Sequence, residues 1–106
     1  MSYLTHKRSF TDRIRKNQIE LNKNIHYVVF DKIIVIGDFN KMKYYYMDAW
    51  SSIFYTHILE SKNIDSAASN LEDLIKAPKE ELVSELLEWC GNMCKRGIFR
   101  IKKRGA

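Results

Sequence analysis

Two short runs of β-branched and aromatic residues, His26 to Phe30 and Ile33 to Ile36, constrain this chain more than any other feature. Each is too short for a stable helix and rich in side chains that pack well on a pleated surface. Only Asp31 and Lys32 separate them, so a β-hairpin is the expected unit. Asp-Lys is not a preferred two-residue turn, which favours glycine or asparagine at positive φ, so one continuous strand with a bulge is the alternative. The strand region ends at Gly37. The following "GDFN" gathers turn formers, and Asp38 or Asn40 can cap whatever comes next.

Helical periodicity frames this strand unit on both sides. The segment from Phe10 to Asn24 reads as a basic helix with a thin apolar seam at Phe10, Ile14 and Leu21, capped by Ser9 or Thr11. From Lys41 to Lys62, Met42, Tyr45, Tyr46, Ala49, Trp50, Ile53, Phe54, His57 and Ile58 recur at three- and four-residue intervals, which favours one long helix. Tyr44, Met47 and Tyr55 fall on another face, so that helix would be aromatic most of the way round and central in the fold or its assembly. The competing assignment makes "KMKYYYM" a third strand, with Asp48 capping a shorter helix from Ala49.

Asp65 or Ser66 is expected to cap a helix running to Lys76, and Pro78 opens a last one. In that last helix Leu82, Leu86, Trp89 and Met93 form an apolar row beside Val83, Leu87, Cys90 and Cys94. Lys79, Glu80, Glu81, Glu85 and Glu88 lie opposite. Gly97 supplies a stop before "IFRIKKR", which either adds a strand to the sheet or remains a basic tail. The predicted fold is a helix-dominated α+β single domain with a two- to three-stranded antiparallel sheet.

Composition agrees with one domain: 106 residues at 45% hydrophobic content can bury one core, and no linker or repeat divides them. The net charge of +5 is unevenly placed. Residues 1–25 hold six Lys/Arg against two acids, residues 26–94 hold six against eleven, and residues 95–106 hold six and no acid. If the basic ends meet in the fold, they make one positive face. No signal-peptide core follows the basic N-terminus, and the most apolar stretch is interrupted by Asp31 and Lys32, so a cytoplasmic protein without membrane contact is expected.

Signatures of catalysis are absent from the sequence. It has no glycine-rich phosphate loop, no GxSxG and no HExxH. His57 with Tyr55, Asp48 and Glu60 is the one combination that resembles a general base with helpers, and helical geometry points Tyr55 and Asp48 away from it. Cys90 and Cys94 sit one helical turn apart and offer two metal ligands where zinc needs four, so they read as reduced core residues. The chain is therefore expected to be a non-enzyme that uses no cofactor or metal.

Two binding functions remain. The first is nucleic-acid binding, to DNA or RNA, or regulation of a nucleic-acid-processing complex. Arg13, Arg15, Lys16, Arg96, Arg100, Lys102, Lys103 and Arg104 would neutralise phosphates, or meet an acidic protein surface, and the aromatics would stack on bases. The alternative is a protein-interaction module, a small inhibitor or adaptor, whose Tyr44, Tyr45, Tyr46, Trp50 and Tyr55 bury against a partner or a second copy in a homodimer.

Overall fold

The computed structural model describes the backbone of residues 3–102 and the side chains from Phe10 onward. Helix α1 (Tyr3–Lys16) leads into strand β1 (Gln18–Leu21), followed by β2 (Ile25–Phe30), β3 (Ile33–Asp38) and β4 (Lys43–Tyr46). Helices α2 (Ala49–Ser61), α3 (Ile64–Leu71) and α4 (Lys79–Lys95) come next, and strand β5 (Phe99–Lys102) ends the described chain. The predicted α+β class holds, with two antiparallel sheets. One is the meander β2-β3-β4, and the other joins β1 to β5.

The hairpin forms as expected, with Val28 opposite Val35 and Phe30 opposite Ile33. Asp31 and Lys32 take φ of 49° and 68°, the left-handed pair that a tight hairpin turn demands, although neither is glycine. Asp38, buried, then organises the next turn: its carboxylate accepts from the backbone N–H groups of Asn40 (3.1 Å) and Lys41 (3.2 Å). That turn delivers the chain into β4, paired with β3 through Val35–Tyr46 and Gly37–Tyr44.

Residues 43–46 are therefore strand, and the long helix favoured from periodicity is corrected to the competing assignment. Asp48 is the N-cap of α2, accepting from the N–H of Ser51 at 2.7 Å. The Tyr triplet follows its local preference for extended backbone, and the sheet edge offered by β3 stabilises it. The first helix also differs from expectation. It ends at Lys16, and "QIEL" becomes β1 because Phe99 and Ile101 arrive beside Leu21 and Ile19 from the far end of the chain. Asn63, in place of Asp65 or Ser66, caps α3, accepting from the N–H of Ser66 at 2.8 Å. From Glu72 to Lys76 the helix widens into a single π-type turn that ends at Lys76 with φ 64°.

Helix α4 lies along the body of the fold as its apolar pattern predicts, burying Leu82, Val83, Leu86, Cys90 and Met93. Buried Gly91 faces α1, and a Cβ there would meet the Phe10 ring at 3.6 Å and Ile14 at 3.8 Å, ordinary contact distances. Gly97 at φ 77° stops the helix and turns the chain into β5. A run of aromatic contacts ties the layers together. Tyr27 of β2 meets Tyr55 of α2 edge-on at 5.3 Å, Tyr55 stacks on Phe99 of β5 at 5.8 Å, Phe99 meets Trp89 of α4 at 5.5 Å, and Trp89 meets Phe54 of α2 at 5.8 Å.

The left-handed turn carries a test. An L-residue with a Cβ costs on the order of 1 kcal/mol in this conformation, so Asp31→Asn with Lys32→Gly is expected to raise unfolding stability by about that amount. Urea denaturation followed by circular dichroism measures it, and an unchanged midpoint refutes the assigned turn.

Candidate functional site

Among the described residues no strand pairs with the outer edges of β2 and β4, and four residues beyond β4 Trp50 lines a cleft. Met47 donates its N–H to the carbonyl of Ile34 at 2.9 Å, so the backbone groups of Met47, and by alternation of Tyr45 and Lys43, point toward β3. Those of Tyr44 and Tyr46 point the other way, where no strand pairs with them among the described residues, and such an edge can take a further strand. Their side chains project from the outer face of the sheet, 61% and 80% exposed, in line with exposed Val28 and Phe30 on β2 and Ile33 on β3.

Beyond β4 the chain enters α2, and α4 runs back past this junction. Arg96 at the end of α4 lies over the Tyr45 ring at 5.9 Å, and Lys41 donates its Nζ to the Arg96 carbonyl at 3.3 Å. About two turns earlier, the Trp89 indole donates to the Ser51 hydroxyl at 3.3 Å. Ser52 braces the corner from within: buried, its hydroxyl accepts from the Ile34 N–H at 3.3 Å and donates to the Met47 carbonyl at 3.5 Å. Toward the start of α4, a cleft of about 360 Å³ opens between the two helices, lined by Trp50, Phe54, Ile75, Ala77, Glu81, Leu82 and Glu85. Trp50, 57% exposed, forms its outer wall. The π-type turn brings Ile75 to the same cleft and leaves Leu74 exposed nearby.

The structure distributes the predicted cations differently from a phosphate-binding face. The basic ends do meet, since β1 and β5 pair Gln18 with Lys102, which places Lys16 near that end. Several of the charges are nevertheless engaged. Arg15 donates to Asp65 at 3.0 Å and lies 3.5 Å from Glu80, and Arg100 donates to Glu20 at 2.6 Å. Arg96 is over Tyr45, while Arg13, Lys16 and Lys102 remain exposed. Lys103 and Arg104 lie outside the described residues.

The aromatic group divides as well. Tyr44, Tyr46 and Trp50 are exposed around the β4 edge, and Tyr45 is half-buried beneath it. Tyr55 belongs to the core, 1% exposed, and is not an interface residue. With α2 starting only at Ala49, the all-round aromatic helix that motivated self-association does not form. His57 is half-buried on α2, Asp48 caps that helix, Tyr55 is internal and Glu60 is exposed, and the His57 Nδ1 has no hydrogen-bond partner among the described residues, so Asp48 and Tyr55 are not arranged as its helpers. Burial raises the thiol pKa of Cys90, and that of Cys94 in spite of the nearby Arg13 charge, which keeps both thiols protonated and poorly nucleophilic. No group of three or more potential metal ligands occurs among the described residues. None of the described helices is long and apolar enough to cross a membrane.

No protein-family model matches the chain, and no curated protein matches it in sequence. Its fold is shared with solved structures. A lasso peptide synthetase B1 complexed with the leader peptide superposes with a TM-score of 0.71 at 12% identity, over 78% of this chain and 98% of that one. TbiB1 in complex with the TbiA(beta) leader peptide gives 0.70 at 11% identity, over 82% and 96%. Both are peptide complexes. Together with the engaged cations, they overturn the nucleic-acid-binding function expected from the basic termini.

The Tyr55 hydroxyl is buried without a hydrogen-bond partner among the described residues, and desolvation raises its pKa. Removing an unsatisfied buried polar group relieves its desolvation cost, so Tyr55→Phe is expected to be stabilising by up to about 1 kcal/mol. A drop in the thermal midpoint would instead show a hydrogen bond that the hydroxyl makes in solution.

Proposed function

We propose that this chain is a peptide-recognition module without catalytic activity of its own, which binds an extended segment of a partner polypeptide along the open edge of β4. The observation that carries this reading is the outward-facing backbone of Tyr44 and Tyr46 beside the cleft between α2 and α4. A bound strand would exchange main-chain hydrogen bonds with that edge. Its alternate side chains would lie beside Tyr44 and Tyr46 on the outer face, and toward Tyr45, Trp50 and α4 on the inner one. The two peptide complexes of the same fold support a leader-like segment of a precursor polypeptide as the partner class.

Proline distinguishes main-chain pairing from side-chain contact. Tyr46→Pro removes an N–H that points away from β3, so the internal ladder survives while the edge loses a donor. By the same alternation Val29→Pro blocks the other open edge, that of β2. With linear peptides selected from a random displayed library, Tyr46→Pro is expected to weaken binding at least tenfold, Tyr46→Ala less, and Val29→Pro not at all. Each dissociation constant is read by fluorescence anisotropy after circular dichroism confirms the fold. Equal binding by Tyr46→Pro and wild type would sink the β4-edge reading.

A further inference from the structure

The cleft at the start of α4 has a chemistry of its own. Its floor and walls are apolar: Phe54 and Leu82 are buried, Ile75 and Ala77 half-buried, and the Trp50 ring stands over them. Among the described residues, the charged ones lining it are Glu81 and Glu85, both exposed. They lie four residues apart, one turn of the same helix, so their carboxylates share a face and repel each other. Among the described residues neither has a cation as partner, whereas neighbouring Glu80 lies 3.5 Å from the guanidinium of Arg15. The helix dipole favours Glu81 in the first turn but not Glu85, which lies beyond it. Among the described residues, no Lys or Arg lines this cleft.

We infer that this cleft is a specificity subsite for an apolar side chain followed closely by a lysine or arginine on the bound peptide. The apolar group fills the space under Trp50, and the cation lies between the carboxylates of Glu81 and Glu85. This rests on the peptide-binding reading and adds to it the identity of the residues selected. The charge complementarity commits the occupant to a basic segment. An acidic segment would place a third negative charge beside two that already repel, and a polynucleotide would meet carboxylates where it needs cations.

The full chain is immobilised and challenged with a library of random linear displayed peptides, in parallel with the double variant Glu81→Gln, Glu85→Gln and with Trp50→Ala. Wild type is expected to enrich peptides with an aliphatic or aromatic residue adjacent to Lys or Arg. A synthetic peptide from that pool should lose roughly fivefold in affinity on the double variant, the scale of two exposed ion pairs. Its counterpart with the cation replaced by norleucine should bind both forms alike. Added salt should narrow the difference between them. Trp50→Ala should weaken both peptides, since it removes the wall over the anchor. Selected peptides without basic enrichment, or equal loss of the basic and norleucine peptides on the double variant, overturn the subsite; the edge reading is then still decided by Tyr46→Pro. Failure to select any peptide overturns both.

Discussion

The chain of aromatic contacts from Tyr27 through Tyr55, Phe99 and Trp89 to Phe54 is the constraint on which the rest of the structure depends. It crosses from the meander to α2, to β5, to α4 and back to α2, so each of these four parts is fixed by a ring from another. Rings at these separations add directional preference to burial, which limits how α4 can rotate or slide against the sheet. Because Trp89 is also held by Ser51, the start of α2 and the middle of α4 have one relative position. The cleft beneath Trp50 and the open β4 edge take their spacing from it.

The proposed binding surface differs from the core in what supports it. Tyr44 and Tyr46 need only the β3 ladder behind them, and their side chains stand clear of the domain. Glu81 and Glu85 occupy the outer side of a helix whose inner side is anchored by Leu82, Val83 and Leu86. Rigid elements thus present the exposed groups, which lowers the ordering cost of recognising a flexible segment. The protein's net positive charge gives no hint of this, since the charged residues that line the cleft among those described are Glu81 and Glu85.

Much of the architecture was legible in the sequence where local signals and tertiary pairing agreed. The 26–36 hairpin and the 78–95 helix have periodicities that their surroundings reinforce. Residues 41–47 misled because Met42, Tyr45 and Tyr46 happen to continue the three- and four-residue spacing of Trp50, Phe54 and His57. Asp48, a strong cap in mid-pattern, was the signal that separated strand from helix. "QIEL" had no readable signal, since its pairing partner lies some eighty residues away. Within the proposed site, Trp50, Tyr44 and Tyr46 are interface candidates by their chemistry, and the structure leaves them exposed. Glu81 and Glu85 were read as a solvated helix face, and only the position of Trp50 and Ile75 shows that they line a cleft.

The pairing of β1 with β5 also bears on how the chain acquires its structure. Joining residues 18–21 to residues 99–102 closes a loop around nearly everything between them, whereas the meander and the helix pairs are built from near neighbours. Contacts of such long range carry the greatest closure entropy and form slowly. During synthesis Ile19, fully buried in the finished fold, has no strand beside it until Phe99–Lys102 has left the ribosome. The β4 edge and its cleft come from the interior of the chain, so the surface proposed to meet a partner is built from contacts closer in sequence than the seam that joins the two ends.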